Sequence, residues 1–251
     1  MTTVVVPADP PFEGVVLQEL VASTPLSAAD AVRLYEATLA DVAAAADKSG
    51  GTLLVNYRPR EHLPDDLPET ATPKTAVADV VDDAVADPES VRYEVQVGSS
   101  YAARVGNTVT HLLEEEEAGS VHVVDPTAAL VSRKLIDSTS MKLRRTPIVV
   151  GPAPGSRVYY AGFTDPVDFD GAYDPPALQS LVGQALDDGF DVDFIEQQSP
   201  IRTASDLATV VSTVRARAAA GRITPEATLA AADELGIEVH GSDDGVEIRQ
   251  A

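Results

Sequence analysis

The sequence predicts one α/β domain in which helices cover both faces of a mostly parallel sheet, and three observations predict it. Strand-like runs rich in valine alternate with runs of helical periodicity almost from end to end, the pattern of a three-layer α/β/α architecture. The 251 residues are enough for a sizeable core, and 44% of them are hydrophobic, so a folded domain is expected in spite of the charge the chain carries. No run approaches the roughly 18 apolar residues of a membrane span. Residues 1–219 make the body of the domain, and 220–251 add a helix and short strands packed on it.

Val4-Val5-Val6 opens the sheet. Ser27-Ala28-Ala29-Asp30 reads as a capping-box start, after which Val32, Tyr35, Leu39 and Val42 recur at helical spacing on one face. Leu53 to Tyr57 is a strand, and the Pro- and Asp-rich loop Pro64 to Pro73 is a candidate flap ahead of a helix around Val77 to Val85. Val91 to Val97 alternates like a strand, a helix runs from Tyr101 to Glu116, and Val121 to Asp125 reads as a central strand ending on a carboxylate. A helix over Ala128 to Met141 leads to two strand-like runs, Pro147 to Val150 and Val158 to Phe163, with two prolines and two glycines between them. Then come a helix near Leu178 to Leu186, a strand at Val192 to Ile195 and a helix from Ala204 to Ala219. A last helix starts at Thr224-Pro225-Glu226, with threonine as its cap, and Ile237 to Val239 with Val246 to Ile248 closes as a hairpin.

Charge narrows the partners. Forty acids against 18 bases give a net charge of −22, a surface that repels nucleic acid and anionic membrane and suits a salt-rich cytoplasm. The N-terminal residues lack the basic-then-apolar order of a signal peptide. Without cysteine there is no disulfide and no thiolate zinc site, and four scattered histidines offer no ligand spacing.

Four groups of acids come up as candidates. Asp125 sits where a strand of an open α/β sheet stops, the usual place for a ligand, and reads either as a metal ligand or as an N-cap ahead of Ala128. Asp191-Val192-Asp193 places two carboxylates on one face of a strand, as a divalent cation needs, or is a solvated strand end. Asp165, Asp168, Asp170 and Asp174 crowd one loop, but the glutamate that closes a calcium loop is missing. Glu114 to Glu117, at a helix end, reads as surface charge.

Several segments, taken in order, resemble a known family. They are Pro11-Phe12-Glu13-Gly14; Ala28 to Tyr35 with Leu39-Ala40-Asp41; Gln96-Val97-Gly98 with Arg104; Val123-Val124-Asp125; Gly151-Pro152-Ala153 with Tyr159 and Gly162; and Thr203 to Leu207. From residue 1 to about residue 215 the chain is similar to the glycosyltransferase-like proteins also called radical-SAM/selenodomain-associated transferases. The resemblance implies a Rossmann-like GT-A fold, the nucleotide-diphospho-sugar transferase type. It implies a substrate site at Gly14, Gln96, Gly98, Arg104, Gly151, Pro152, Ala153 and Tyr159, with Asp125 as the metal ligand, for magnesium or manganese if the protein is active.

The departures fall on the chemistry. The family's Lys-Thr-Arg-Leu, which can neutralise phosphates, is Leu17-Gln18-Glu19-Leu20 here; its Asp-Gly-Gly-Tyr is Gly155-Ser156-Arg157-Val158; a bracketing aspartate pair is Pro200-Ile201-Arg202; and its Gly-x-Asp-Leu-Gly turn is Gly98-Ser99-Ser100-Tyr101-Ala102. The expectation is a transferase-like protein with little or no catalysis, a nucleotide or nucleotide sugar being its implied ligand. The alternative is an active metal-dependent transferase with a nucleotide-activated donor, Asp125 holding the metal and Arg104 assisting. No protein partner is indicated.

Overall fold

The computed structural model describes residues 1–65, 67, 72–242 and 245–250. Its middle layer is a seven-stranded sheet. The strands are β1 (Thr2–Ala8), β2 (Thr52–Tyr57), β3 (Arg92–Val95), β4 (Ser120–Val124), β5 (Ile148–Ala153), β6 (Arg157–Phe163) and β7 (Val192–Phe194). They lie in the order β3-β2-β1-β4-β6-β5-β7. Only β6 runs antiparallel to its neighbours, β4 and β5; the other pairs are parallel. The three-layer, mostly parallel architecture is therefore the one the alternation of runs predicted.

Side-chain alternation divides the core. Val4 and Val6 of β1, with Leu53 and Val55 of β2, face one cluster, while Val5 and Leu54 face the other. The first cluster is covered by α2 (Ala28–Asp47), α3 (Pro73–Asp82), α5 (Arg133–Lys142) and α7 (Ala204–Ala219), which contribute Leu34, Leu39, Val77, Ile136, Leu207 and Val211. The second is covered by α4 (Tyr101–Thr110) and α6 (Ala177–Asp187), through Val105, Val109 and Leu181. A one-turn helix α1 (Gln18–Ser23) and helix α8 (Glu226–Glu234) complete the first layer, and β8 (Ile237–Ser242) pairs with β9 (Gly245–Gln250) as the expected hairpin. Among the described residues no helix is long and apolar enough to cross a membrane.

Three elements differ from expectation. The helix expected from Ala128 begins at Arg133, because Ser132 is its N-cap and accepts from the Leu135 N–H, while Ala128 to Val131 pack in turns against the first cluster. Helix α8 is not capped by Thr224: Asp41 of α2 accepts from the backbone N–H groups of Ala227 and Thr228. The run with two prolines and two glycines is not an open loop, since β5 continues through Pro152 to Ala153 and turns back within Pro154–Ser156. Of the expected flap, Pro64 to Pro73, residues 66 and 68–71 lie outside the described residues.

Candidate functional site

Asp9 follows β1 and Asp125 follows β4, so two adjacent parallel strands each end on a carboxylate. Between them and the flanking loops opens a cleft of ≈ 560 Å³ at the carboxyl edge of the sheet, the position at which open α/β sheets take ligands. Residues 15–19 form its rim, and Gln96, Tyr101, Arg104, Arg157, Tyr173 and Arg202 line it, the Tyr101 and Tyr173 rings meeting edge to face with centroids 5.1 Å apart.

Asp125 has no free oxygen. Oδ1 accepts from the Thr127 N–H at 2.8 Å and from the Thr127 hydroxyl at 2.7 Å, and Oδ2 accepts from Arg202 Nη2 at 2.7 Å. Its own N–H donates to the Tyr159 carbonyl, tying the end of β4 to β6. Burial would raise its pKa, but the Arg202 charge and the bonds from Arg202 and Thr127 outweigh it and hold the carboxyl below its ordinary value. Both sequence readings thus change: the acid closes a turn, since Ala128 N–H donates to the Asp125 carbonyl without starting a helix, and its partner is a guanidinium.

The donor set does not fit a divalent cation. One would have to displace Arg202 from Asp125, and the half-buried Asp9 is ion-paired with Arg58 at 3.0 Å. Burial raises the Asp9 pKa, an effect only partly offset by Arg58, Arg202 and Arg104. Among the described residues no three His, Asp or Glu side chains gather as a metal site. Asp193 of the Asp-x-Asp pair lies on edge strand β7 and is paired with Lys142 at 2.6 Å, and Asp168 accepts from the Asp170 N–H within its own loop.

Arg157 and Arg202 are both held through Asp206, which is 3% exposed. Arg157 Nη2 grips the Asp206 carboxylate at 2.8 and 3.0 Å, and the Arg202 N–H donates to Asp206 Oδ2. The same carboxylate closes a capping box with Thr203 at the start of α7. The sequence Thr203-Ala204-Ser205-Asp206 therefore starts a helix and sets two cleft arginines.

The other residues implied by the resemblance fall into two groups. Gln96 and Arg104 line the cleft. Gln96 is 3% exposed, and its amide donates to the carbonyls of Asn56 and Ala8, joining the ends of β1 and β2 beside Asp9. Gly98 has φ of +139°, and a Cβ there would lie 2.9 Å from Arg104 N, so glycine lets the first turn of α4 approach. Gly14 (φ +74°) makes the turn that leads into the rim, where Leu17 adopts a left-handed φ of 49°, a strained conformation for a branched side chain.

Gly151, Pro152, Ala153 and Tyr159 lie outside the cleft wall. Strand β6 separates β5 from β4, which puts Gly151 to Ala153 one strand away from Asp125. Gly151 instead packs against Tyr159, whose Cε1 lies 2.7 Å from where a Cβ would be, and the buried Tyr159 donates to the Glu196 carbonyl. From that hairpin only Arg157 and Val158 reach the cleft. Sequence reasoning missed Asp9, Tyr35, Tyr101 and Tyr173. Asp9 carries the same signal that singled out Asp125, an acid directly after a valine-rich strand; the tyrosines carry none.

No family profile matches the chain, and none of the curated proteins is similar to it. Among solved structures, the chain is similar to a protein assigned as a nucleotide-diphospho-sugar transferase from Desulfovibrio desulfuricans G20, at 16% identity and a TM-score of 0.72 over 93% of this chain and 95% of that one. It is also similar to a cytidylyltransferase from Leptospira borgpetersenii serovar Hardjo-bovis, at 7% identity and a TM-score of 0.51 over 93% and 94% of the two chains. At such identities the likeness is one of fold: the architecture is that of nucleotide-diphospho-sugar transferases and cytidylyltransferases.

Proposed function

We propose that the chain is a nucleotide-diphospho-sugar transferase-like protein with little or no transfer activity, in which the cleft serves as a binding module. One observation carries the reading: Arg202 donates to Asp125 at 2.7 Å, so a guanidinium occupies the carboxylate that a divalent cation would need. Metal-dependent transfer uses the cation to offset charge on the leaving diphosphate, and Arg202 blocks that route. The exposed Glu19 on the rim adds a negative charge beside any diphosphate placed there.

The test is a donor-hydrolysis assay with several UDP- and GDP-sugars and manganese in molar potassium chloride. The expected outcome is no turnover above the buffer. Manganese-dependent turnover that disappears in Asp125→Ala would establish the active transferase instead.

A further inference from the structure

The cleft contains cationic and hydroxyl donors that the protein itself leaves without acceptors. Arg104, from α4, is half-buried and its Nε is buried with no partner. Burial lowers its pKa and the nearby Asp9 carboxylate offsets this only in part, so the guanidinium is removed from water without full compensation. An unsatisfied buried donor works against folding. Two more occur in the same walls: Nη1 of Arg157 and the Tyr173 hydroxyl are buried without partners. Arg202 gives one N–H to Asp125, and 46% of its side-chain surface is exposed, so the remaining donors of its planar fork are open.

We propose that this cleft binds the phosphate group of a small phosphorylated molecule without any divalent cation. Arg104 and Arg202 take its charge, and Asp125 is the positioning residue that aims Arg202. The proposal rests on the reading that Arg202 stands where a metal would. Phosphate is favoured over carboxylate because the two arginines come from different elements, α4 and the loop before α7. A tetrahedral dianion presents acceptors in several directions, whereas a carboxylate presents two oxygens in one plane. A cleft of ≈ 560 Å³ has room for the rest of a small molecule, with Val15, Val16 and Pro126 as apolar wall.

Calorimetric titration of the full chain with pyrophosphate and inorganic phosphate, in EDTA and at fixed ionic strength, tests the proposal, with succinate as the carboxylate control. Pyrophosphate should bind in EDTA, and manganese should not strengthen it. Arg104→Gln should weaken binding about tenfold or more while the Tm stays the same or rises, because the substitution removes an unsatisfied donor. Asp125→Asn keeps an acceptor for Thr127 and should lower affinity severalfold; a purely structural Asp125 would move the Tm and leave the affinity of the folded protein unchanged. The proposal is overturned if no phosphate probe binds in EDTA, if binding requires manganese, if succinate binds as tightly, or if Arg104→Gln binds like the parent chain. Donor turnover would overturn the non-catalytic reading alone, since binding in EDTA is read independently of any reaction.

Discussion

Asp206 serves both the fold and the cleft, and its substitution should show how closely the two are joined. Its carboxylate caps α7 and holds Arg157 by two hydrogen bonds. Losing a cap costs about 1 kcal/mol, and leaving a partly buried guanidinium without its acceptor costs roughly 1–3 kcal/mol more. Asp206→Ala should therefore lose about 2–4 kcal/mol in urea denaturation, and a loss below about 1 kcal/mol would show that solvent takes over the role of the carboxylate. His122 gives a second residue-scale expectation. It is fully buried, its Nδ1 lies 2.5 Å from the Tyr160 hydroxyl, and burial pushes its pKa down from 6.5 to about 4. The unfolded chain takes up a proton near pH 6.5 and the native protein does not until about pH 4. This contribution to stability is complete above pH 6.5 and is lost as pH falls toward 4, up to roughly 3 kcal/mol in all. Comparing urea midpoints at pH 7 and pH 5 should show the decrease in the parent chain and a smaller one in His122→Gln; equal slopes would mean that other groups set it.

At the scale of elements, the C-terminal segment packs Ala232, Leu235 and Ile237 into the first core cluster, and the start of its helix is capped by one side chain of a helix far away in sequence. Asp41 of α2 accepts from the Ala227 and Thr228 N–H groups and, at 2.6 Å, from the Thr228 hydroxyl, with Thr228 fully buried. Asp41→Ala removes the N-terminal cap of α8 and leaves a buried hydroxyl unpaired, so the chain should lose about 2 kcal/mol. Hydrogen exchange should quicken in α8 and the β8–β9 hairpin before the sheet; uniform quickening would mean that the segment unfolds only with the whole. This contact also marks the limit of what the sequence revealed. The alternation of valine runs and 3.6-residue periodicity placed the helices and the parallel strands, because those signals are local. Thr224 looked like a cap because Ser/Thr before Pro-Glu is a local signal too, while the true cap is 186 residues from Ala227 and leaves no trace at the helix start. The cleft divides in the same way. Asp125 was legible from the end of its strand and Arg104 from the resemblance, but the Arg202–Asp125 pair spans 77 residues, and no pattern within either segment indicates it. Gly151 to Ala153 end at the same carboxyl edge as Asp125 but one strand over, because the antiparallel insertion of β6 between β4 and β5 depends on which strands pair.

For the molecule as a whole, the main electrostatic force at the surface is repulsion among acids, with a net charge of −22 on 251 residues. Salt bridges engage some carboxylates, but exposed ones such as Glu89, Glu114, Glu115, Asp187 and Glu234 have no cationic partner among the described residues. Raising salt from 0.1 to 1 M shortens the screening length from about 10 Å to about 3 Å, which removes most repulsion between carboxylates several ångström apart. It also weakens the exposed ion pairs, each worth at most about 1 kcal/mol, so with acids more than twice as numerous as bases the balance favours the folded state. The Tm should rise by several degrees in potassium chloride, most steeply below about 0.5 M, where the screening length changes fastest. A variant carrying Gln or Asn at those five positions should start from a higher Tm at low salt and gain less from added salt. That comparison separates charge repulsion from the general strengthening of apolar burial by salt, which would raise both proteins in parallel and continue to climb at high concentration. If the variant and the parent chain show the same salt dependence, repulsion among surface acids is not what limits stability at low salt, and the acidity has no stabilising role through screening.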